Sequence, residues 1–287
     1  MKKIFSTTLI LAIATMWATA QTITKIPFRG QRDKNVGAIQ NQLTQKGFPL
    51  GTIDGQFGRR TTVALSSFQS KNGLKSHGMV DLFTLEKLGI TFLPIADVKG
   101  YMPLSWESQS NTNKVWSDYT FQIIEGLFAD FDKCQDITRI RPDYNDLNKK
   151  QKINVWGELI SAVALPESGW KPTSWMFENQ GIDVVTGQQV RSEGLLQLSY
   201  QDKVNYKTLP CRFDWNADKA FPVKDIRKTI MNPQINLEFG INVLAYQIRK
   251  TGKVILSKGV YWAVLKENGQ YQKIDQITMM AQNLKFQ

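Results

Sequence analysis

Carboxylates carry the chemistry open to this chain. An apolar run of helical period, Val155-Trp156-Gly157-Glu158-Leu159-Ile160-Ser161-Ala162-Val163-Ala164-Leu165, leads into Pro166-Glu167-Ser168-Gly169-Trp170. This puts Glu167 at the mouth of an apolar helix, beside Val163, Leu165 and Trp170. Apolar surroundings disfavour a charged carboxylate and raise its pKa, which is what a general acid needs near neutral pH. Taken alone, Glu167 reads as a solvated charge at a helix end. Three further elements follow it in order. They are Ser192-Glu193-Gly194-Leu195-Leu196-Gln197-Leu198, then Asn232-Pro233-x-x-Asn236-x-x-x-Gly240-x-x-x-Leu244, then Tyr261-Trp262-Ala263.

Composition removes most other chemistry. The 287 residues hold one histidine, His77, and two cysteines, Cys134 and Cys211. That is too little for a histidine-rich or four-cysteine zinc site. From residue 114 onward there is no histidine, so Ser-His-Asp, Cys-His and zinc-amidase arrangements fall away there. No metal and no organic cofactor is implied. His77, in a polar loop, reads as structural. The hydrophobic fraction of 42% can build real cores, and the length suits two domains. Lys+Arg 36 against Asp+Glu 25 gives a net charge of +11, which suits a polyanionic partner. Nucleic acid has only that charge in its favour and is not expected.

The chain divides into four stretches. Residues 1–20 read as a cleavable export signal: Lys2 and Lys3, an apolar run, then Ala18-Thr19-Ala20 before Gln21. No later stretch is apolar enough to span a bilayer. The mature protein is expected in the periplasm or outside the cell, as a monomer without stable membrane insertion. In an oxidising compartment Cys134 and Cys211 are expected to pair as a disulfide. Residues 35–90 show two helical patterns around a Gly/Asp-rich turn, then a short third pattern with Asp81 as N-cap. In 91–113 the periodicity dissolves, as in a linker or packing strap. Helical periods return in 114–287, with a loop-rich insert over 171–193. The fold class expected is mainly α: a small three-helix module followed by an α-rich domain.

The first module carries Val36-x-x-Ile39-Gln40-x-x-Leu43, Gly47-Phe48, Ile53-Asp54-Gly55-x-Phe57-Gly58-x-x-Thr61, Ala64-Leu65-x-x-Phe68-Gln69, Gly78-x-Val80-Asp81 and Thr84-x-x-x-Leu88. This resembles the three-helix peptidoglycan-binding domain of bacterial wall enzymes. The resemblance implies a glycan groove near the Asp54–Thr61 turn. Phe57, Phe68 and Leu88 read as core, and Thr61 as a cap for the second helix. The four elements of the second domain resemble, in order, the lytic transglycosylase and goose-type lysozyme superfamily over about 150–265. The departures are Leu196 for Met, Val243 for Tyr, Trp262 and Val264 for Asn and Gly, and about twelve extra residues between Glu167 and Gln197.

That resemblance implies Glu167 as the catalytic acid for the MurNAc–GlcNAc bond of peptidoglycan strands. A transglycosylase works with this one glutamate and closes a 1,6-anhydro ring. A lysozyme adds a second carboxylate, about 6.5–9.5 Å away in inverting geometry, to position water. Candidates for the second carboxylate are Glu193 and Asp183, with Glu178 and Asp202 as lesser ones. The resemblance also places Ser192, Gly194, Gln197 and Tyr261 at the substrate. Asn236 reads as a tie between helices, and Leu195, Leu198, Gly240 and Leu244 as packing. Trp156, Trp170, Trp175 and Trp262 are candidates for sugar platforms, with core burial the competing role. Two other readings stand beside the glycosidase. One is a non-catalytic wall-binding scaffold on a lysozyme-like fold. The other is a lysozyme- or chitinase-like hydrolase for a modified, for example deacetylated, glycan.

Overall fold

The computed structural model describes residues 21–286, so the expected export signal lies outside the described residues. The architecture is mainly α. Strand β1 (Gln21–Ile23) pairs in parallel with β2 (Ile90–Phe92), on either side of helices α1 (Lys34–Gln45), α2 (Arg59–Lys71) and α3 (Leu82–Leu88). Then come α4 (Ile95–Lys99), α5 (Lys114–Gly126), α6 (Phe128–Phe131) and the long α7 (Lys149–Ser168). Strands β3 (Trp175–Ile182) and β4 (Gln189–Glu193) form an antiparallel hairpin. Helices α8 (Asp202–Asn205), α9 (Trp215–Asp218), α10 (Pro233–Thr251) and α11 (Ile274–Gln282) complete the chain. No helix among the described residues is long and apolar enough to cross a membrane.

The side chains of α1 to α3 close a core on Val36, Ile39, Leu43, Phe57, Leu65, Phe68, Leu85 and Leu88. Ile23 and Ile26 belong to it, so the unit begins ahead of the first helix. Asp33 caps α1 by accepting from the Asn35 and Val36 N–H groups. Asp81 caps α3 by accepting from the Thr84 N–H at 2.7 Å, as the sequence suggests. Gly58 rather than Thr61 is the N-cap of α2. Thr61 is buried, and its hydroxyl accepts a bond from Gln40 instead.

Two buried glutamines hold this unit together in the same way. Gln40 Oε1 accepts from the Gly55 N–H, and its Nε2 donates to Asp54 Oδ1, the Gln56 carbonyl and Thr61 Oγ1. Gln69 Oε1 accepts from the Gly78 N–H, and its Nε2 donates to the Met79 carbonyl and Thr84 Oγ1 and lies 3.3 Å from His77 Nδ1. The segment Asp54–Thr61 therefore has a counterpart in His77–Thr84, with His77 standing where Asp54 stands. Gly55 and Gly78 are left-handed, at φ 68° for both. A Cβ on Gly78 would meet Thr62 at 2.7 Å, so only glycine fits there.

The stretch 91–113 is a strap rather than a free linker. The Ala96 N–H donates to Asp118 Oδ1, and Asn154 clamps the Met102 backbone from both sides. Glu158, on α7, accepts from the hydroxyl and N–H of Ser105. Trp106 is fully buried, with its indole N–H on Ser117 Oγ at 2.7 Å. Burial pushes Glu158 up to about 7. The preceding segment also links the two cores: Ile26 joins the first, and Phe28 joins the second, edge-on to Tyr119 at 5.4 Å.

The second core gathers around α7 and α10, with Trp156, Leu159, Ile160, Val163, Leu237, Ile241 and Leu244 buried. Asn232 caps α10 by accepting from the Ile235 N–H, and Pro233 fits the first turn because its missing N–H needs no partner. Trp156 and Trp262 are core residues, bonded to the Tyr144 hydroxyl and the Leu196 carbonyl. Neither is a sugar platform. The insert expected to be loop-rich is the β3–β4 hairpin. Its register shifts between Phe177 and Ile182, which breaks the period-two signal of an ordinary strand.

The expected disulfide is absent: Cys134 and Cys211 are both free thiols. The Gln135 N–H bonds the Gly252 carbonyl just past the end of α10, whereas Arg212 pairs with Glu238 near its start. That stretch of helix spans roughly 20 Å, and a disulfide tolerates Cα atoms only about 4.4–6.8 Å apart. Cys134 Sγ donates instead to Asp136 Oδ1 at 3.1 Å. Burial pushes the Cys211 thiol up to about 12. Alkylation of the denatured, unreduced protein should therefore add two groups by mass. A result of zero additions would mean that the pair is bonded.

Candidate functional site

Helix α7 ends by design of its last residues. Pro166 lies inside the last turn, and Gly169 follows as a left-handed C-cap whose N–H bonds the Leu165 carbonyl at 2.8 Å. Trp170 is left-handed too, at φ 57°, and its indole N–H returns to the Ser161 carbonyl at 2.8 Å. Glu167 sits on this terminus, half-buried. Burial pushes its carboxyl up to about 7, and the charge of Glu178 adds to the rise.

Glu178 stands on β3. Met176 is the partner of Ser192 across the hairpin, and Glu178 lies two residues further along the same face. Ser192 Oγ donates to Glu178 Oε1. Ser192 thus touches Glu178 rather than Glu167. On the hairpin, Trp175 packs edge-on against Phe177 at 5.1 Å. Met176 is 53% and Phe177 48% exposed. This is an unusual amount of apolar surface to leave beside two carboxylates.

The Gly194–Leu198 element is a tight loop. Glu193 and Leu198 exchange both backbone bonds, at 2.7 and 3.0 Å. Asn236, from α10, accepts from the Leu196 N–H and donates to the Glu193 and Ile230 carbonyls. It ties the loop to the helix. Gly194 is left-handed at φ 86°, and a Cβ there would lie 2.2 Å from Asn236 Nδ2. Its lack of a side chain serves this packing, not an approach to sugar. Gly240 likewise makes room for Leu196. Gln197 is left-handed at φ 47° and donates to the Gly194 carbonyl at 2.8 Å. Among the described residues the left-handed non-glycines are Trp170, Gln197 and Asn268. Two of the three therefore lie in the motif elements, where strain is often stored at functional sites.

Tyr261 closes another side. Its hydroxyl donates to Asp202 Oδ2, which also accepts from the Ser199 N–H at 2.8 Å. Burial raises the Tyr261 phenol well above its usual range, Asp202 adds to this, and the charge of Glu167 contributes as well. Glu167, Glu178, Ser192 and Tyr261 thus share one neighbourhood.

Two candidates for the second carboxylate are placed elsewhere. Glu193 is fully buried, bonded by Lys228, which is itself 1% exposed, with Arg191 Nε at 3.4 Å. It is half of a structural ion pair and lines no cleft. Asp183 is 2% exposed. Its Oδ1 accepts from the Val185 and Thr186 N–H groups, and its Oδ2 from the Gln201 N–H. It shapes the hairpin turn and anchors it to the loop after Leu198. Asp202 is committed to Tyr261 and Ser199. Glu178, given only a lesser place by the sequence, is the carboxylate that acts on Glu167. The signal for it is weak: a charged residue in an apolar strand, Trp175-Met176-Phe177-Glu178.

Comparison with known proteins gives one family match and a likeness to solved structures. Residues 32–88 match the family described as "Putative peptidoglycan binding domain". No curated protein matches the chain by sequence. Among solved structures, wild-type DslA (form 2) aligns with a TM-score of 0.52 and 24% identity, over 64% of this chain and 96% of that one. Two DslA forms with a single Glu-to-Gln substitution align with TM-scores of 0.51 and 23% identity, over 63% and 95%. At this identity the likeness is one of fold.

Proposed function

We propose that the chain is an exported peptidoglycan glycosidase that cleaves the MurNAc–GlcNAc bond at Glu167. The observation that carries this is the Glu167 carboxyl, held up to about 7 at the end of an apolar helix with a second carboxylate acting on it. The binding family matched over residues 32–88 supports the substrate class. The fold shared with DslA supports the lysozyme-like frame. In this reading 21–90 is the wall-binding domain, 91–113 the strap, and the remainder the catalytic domain. It works as a monomer in the periplasm or outside the cell.

The presence of Glu178 favours hydrolysis. Protonated Glu167 donates its proton to the leaving glycosidic oxygen as the bond to the anomeric carbon breaks. Glu178, oriented by Ser192, takes a proton from a water whose oxygen bonds to that carbon. Glu167 and Glu178 are eleven positions apart, the spacing of the two glutamates replaced in the DslA forms. Tyr261 bounds the site on one side, and Trp175 and Phe177 would give the sugar's apolar face a platform.

Rate against pH on dye-labelled sacculi tests this. Glu167 must be protonated, so activity should fall as pH rises through about 7. Glu178→Gln removes a nearby negative charge, so the Glu167 pKa drops and the alkaline limb should move to lower pH. The rate should also fall by about 10²-fold or more, since a general base is lost. An unmoved limb at a normal rate would remove Glu178 from the site.

A further inference from the structure

The paired glutamine clamps allow a comparison inside one molecule. Asp54–Thr61 and His77–Thr84 run in step, residue for residue, each turning into a helix. Where the second copy has Leu82 and Phe83 opening its helix, the first has Arg59 and Arg60. The fold does not ask for arginine there: the start of a helix favours acidic side chains and disfavours basic ones. Both arginines are exposed, and neither belongs to an ion pair among the described residues.

The two copies are also used differently. The second turn is covered: Asn232 donates to Met79 Sδ at 3.0 Å, and His77 and Gly78 line a small cavity of about 70 Å³ shared with Arg227 and Lys228. The first turn is open. Arg59 and Arg60 stand between two adjoining hollows. One, of about 480 Å³, is walled by Phe48, Leu50, Val63 and Ala64. The other, of about 240 Å³, is walled by Thr52, Asp54 and Gln56. The Asp54 carboxylate there is already engaged by Gln40 and the Gln56 N–H, which hold it below the usual carboxylate range.

We propose that this double groove binds the stem peptide of peptidoglycan, with a peptide carboxylate on Arg59 and Arg60 and the apolar hollow taking the neighbouring side chains or N-acetyl methyl. The proposal rests on the wall-binding reading above. It assigns the first turn, and not its covered counterpart, as the site. Guanidinium–carboxylate bonding supplies both affinity and direction. A chain tethered by its stem peptides leaves the glycan strand itself free for the cleft.

Titration of the full chain carrying Glu167→Gln, with three soluble probes, tests it. These are GlcNAc–MurNAc-tetrapeptide, GlcNAc–MurNAc and chitotetraose. The tetrapeptide probe should bind at least about tenfold tighter than chitotetraose. The double substitution R59Q/R60Q should erase that difference. The control K258Q/K273Q, which removes the same charge from exposed lysines elsewhere, should keep it. Equal binding of GlcNAc–MurNAc and the tetrapeptide probe would move the contact to the lactyl carboxylate and overturn the stem-peptide assignment. Equal binding of all three, or an unchanged R59Q/R60Q, would overturn the groove. Cleavage by the wild-type chain is read separately, so its absence would remove the proposed reaction while leaving the titration to stand or fall alone.

Discussion

Glu167→Gln is expected to lower glycan cleavage by about 10²–10⁴-fold, the range lost when a positioned general acid is removed. Glutamine keeps the shape and cannot give up a proton. The variant should also be more stable than the wild type in one pH window. The folded-state pKa of Glu167 is raised from 4.5 to about 7, so folding favours the protonated acid. The stability this gives the wild type is complete below the unfolded pKa and is lost as pH rises through about 7. Near pH 4 both proteins carry a neutral side chain and should melt together. Near pH 8 the wild type must bury a charge and the variant need not, so the variant should melt higher. Coincident melting curves at both pH values would show Glu167 to be freely solvated. Burial and the Glu178 charge would then have no bearing on it.

The largest effect on stability is expected from Lys228→Met. Lys228 and Glu193 are 1% and 0% exposed and bonded to each other. Taking away the ammonium leaves a carboxylate in the core with only Arg191 near it, a loss of about 3–5 kcal/mol. For a protein of this size that is of order 10 °C in melting temperature. Burial already pushes the Glu193 carboxyl up, with Lys228 opposing. In the variant Glu193 should therefore protonate more readily, and the loss should shrink toward acid pH. The double variant E193M/K228M should recover much of the stability, because a well-packed apolar pair often replaces a buried ion pair without loss. A single-variant melting curve within a degree or two of the wild type would mean that water reaches the pair.

Glu193 stands apart from Glu167 for a reason that local sequence does not carry. Glu193 sits beside the Gly194–Gln197 element, and adjacency in sequence suggested adjacency to the substrate. Its fate is decided by Lys228, which is far along the chain and carries no local signature. Asp183 fails for a related reason: its partners are the backbone N–H groups of its own turn and of Gln201, which no spacing rule announces. Gly194 looked like a site of close approach and is one, but the approaching group is Asn236. Compartment alone suggests the disulfide, and the length of α10 keeps the thiols apart.

What was legible was local. The first unit declares itself because its turns, caps and core are set by residues within a few positions of one another, as at Asp81 and Thr84. The helix end that carries Glu167 is legible because an apolar helix, a proline and a glycine that takes the left-handed cap adjoin it in sequence. The hairpin was not, because the register shift after Phe177 hides its alternation. Glu178 could be picked out only once Ser192 and Glu167 were seen around it. The motif singles out Tyr261 by resemblance alone, and its tie to Asp202 comes from the fold.

In the proposed reaction Glu167 cleaves the glycan strand with help from Glu178. Mass spectrometry of the fragments released from purified peptidoglycan by the wild type and by Glu167→Gln tests it most directly. Disaccharide-peptides with ordinary reducing ends are expected from the wild type and almost none from the variant. Fragments one water lighter would mean anhydro ends, made by Glu167 without Glu178 as a water-positioning base. Equal release by both proteins, or none from either, would contradict the assignment of Glu167 as the acid.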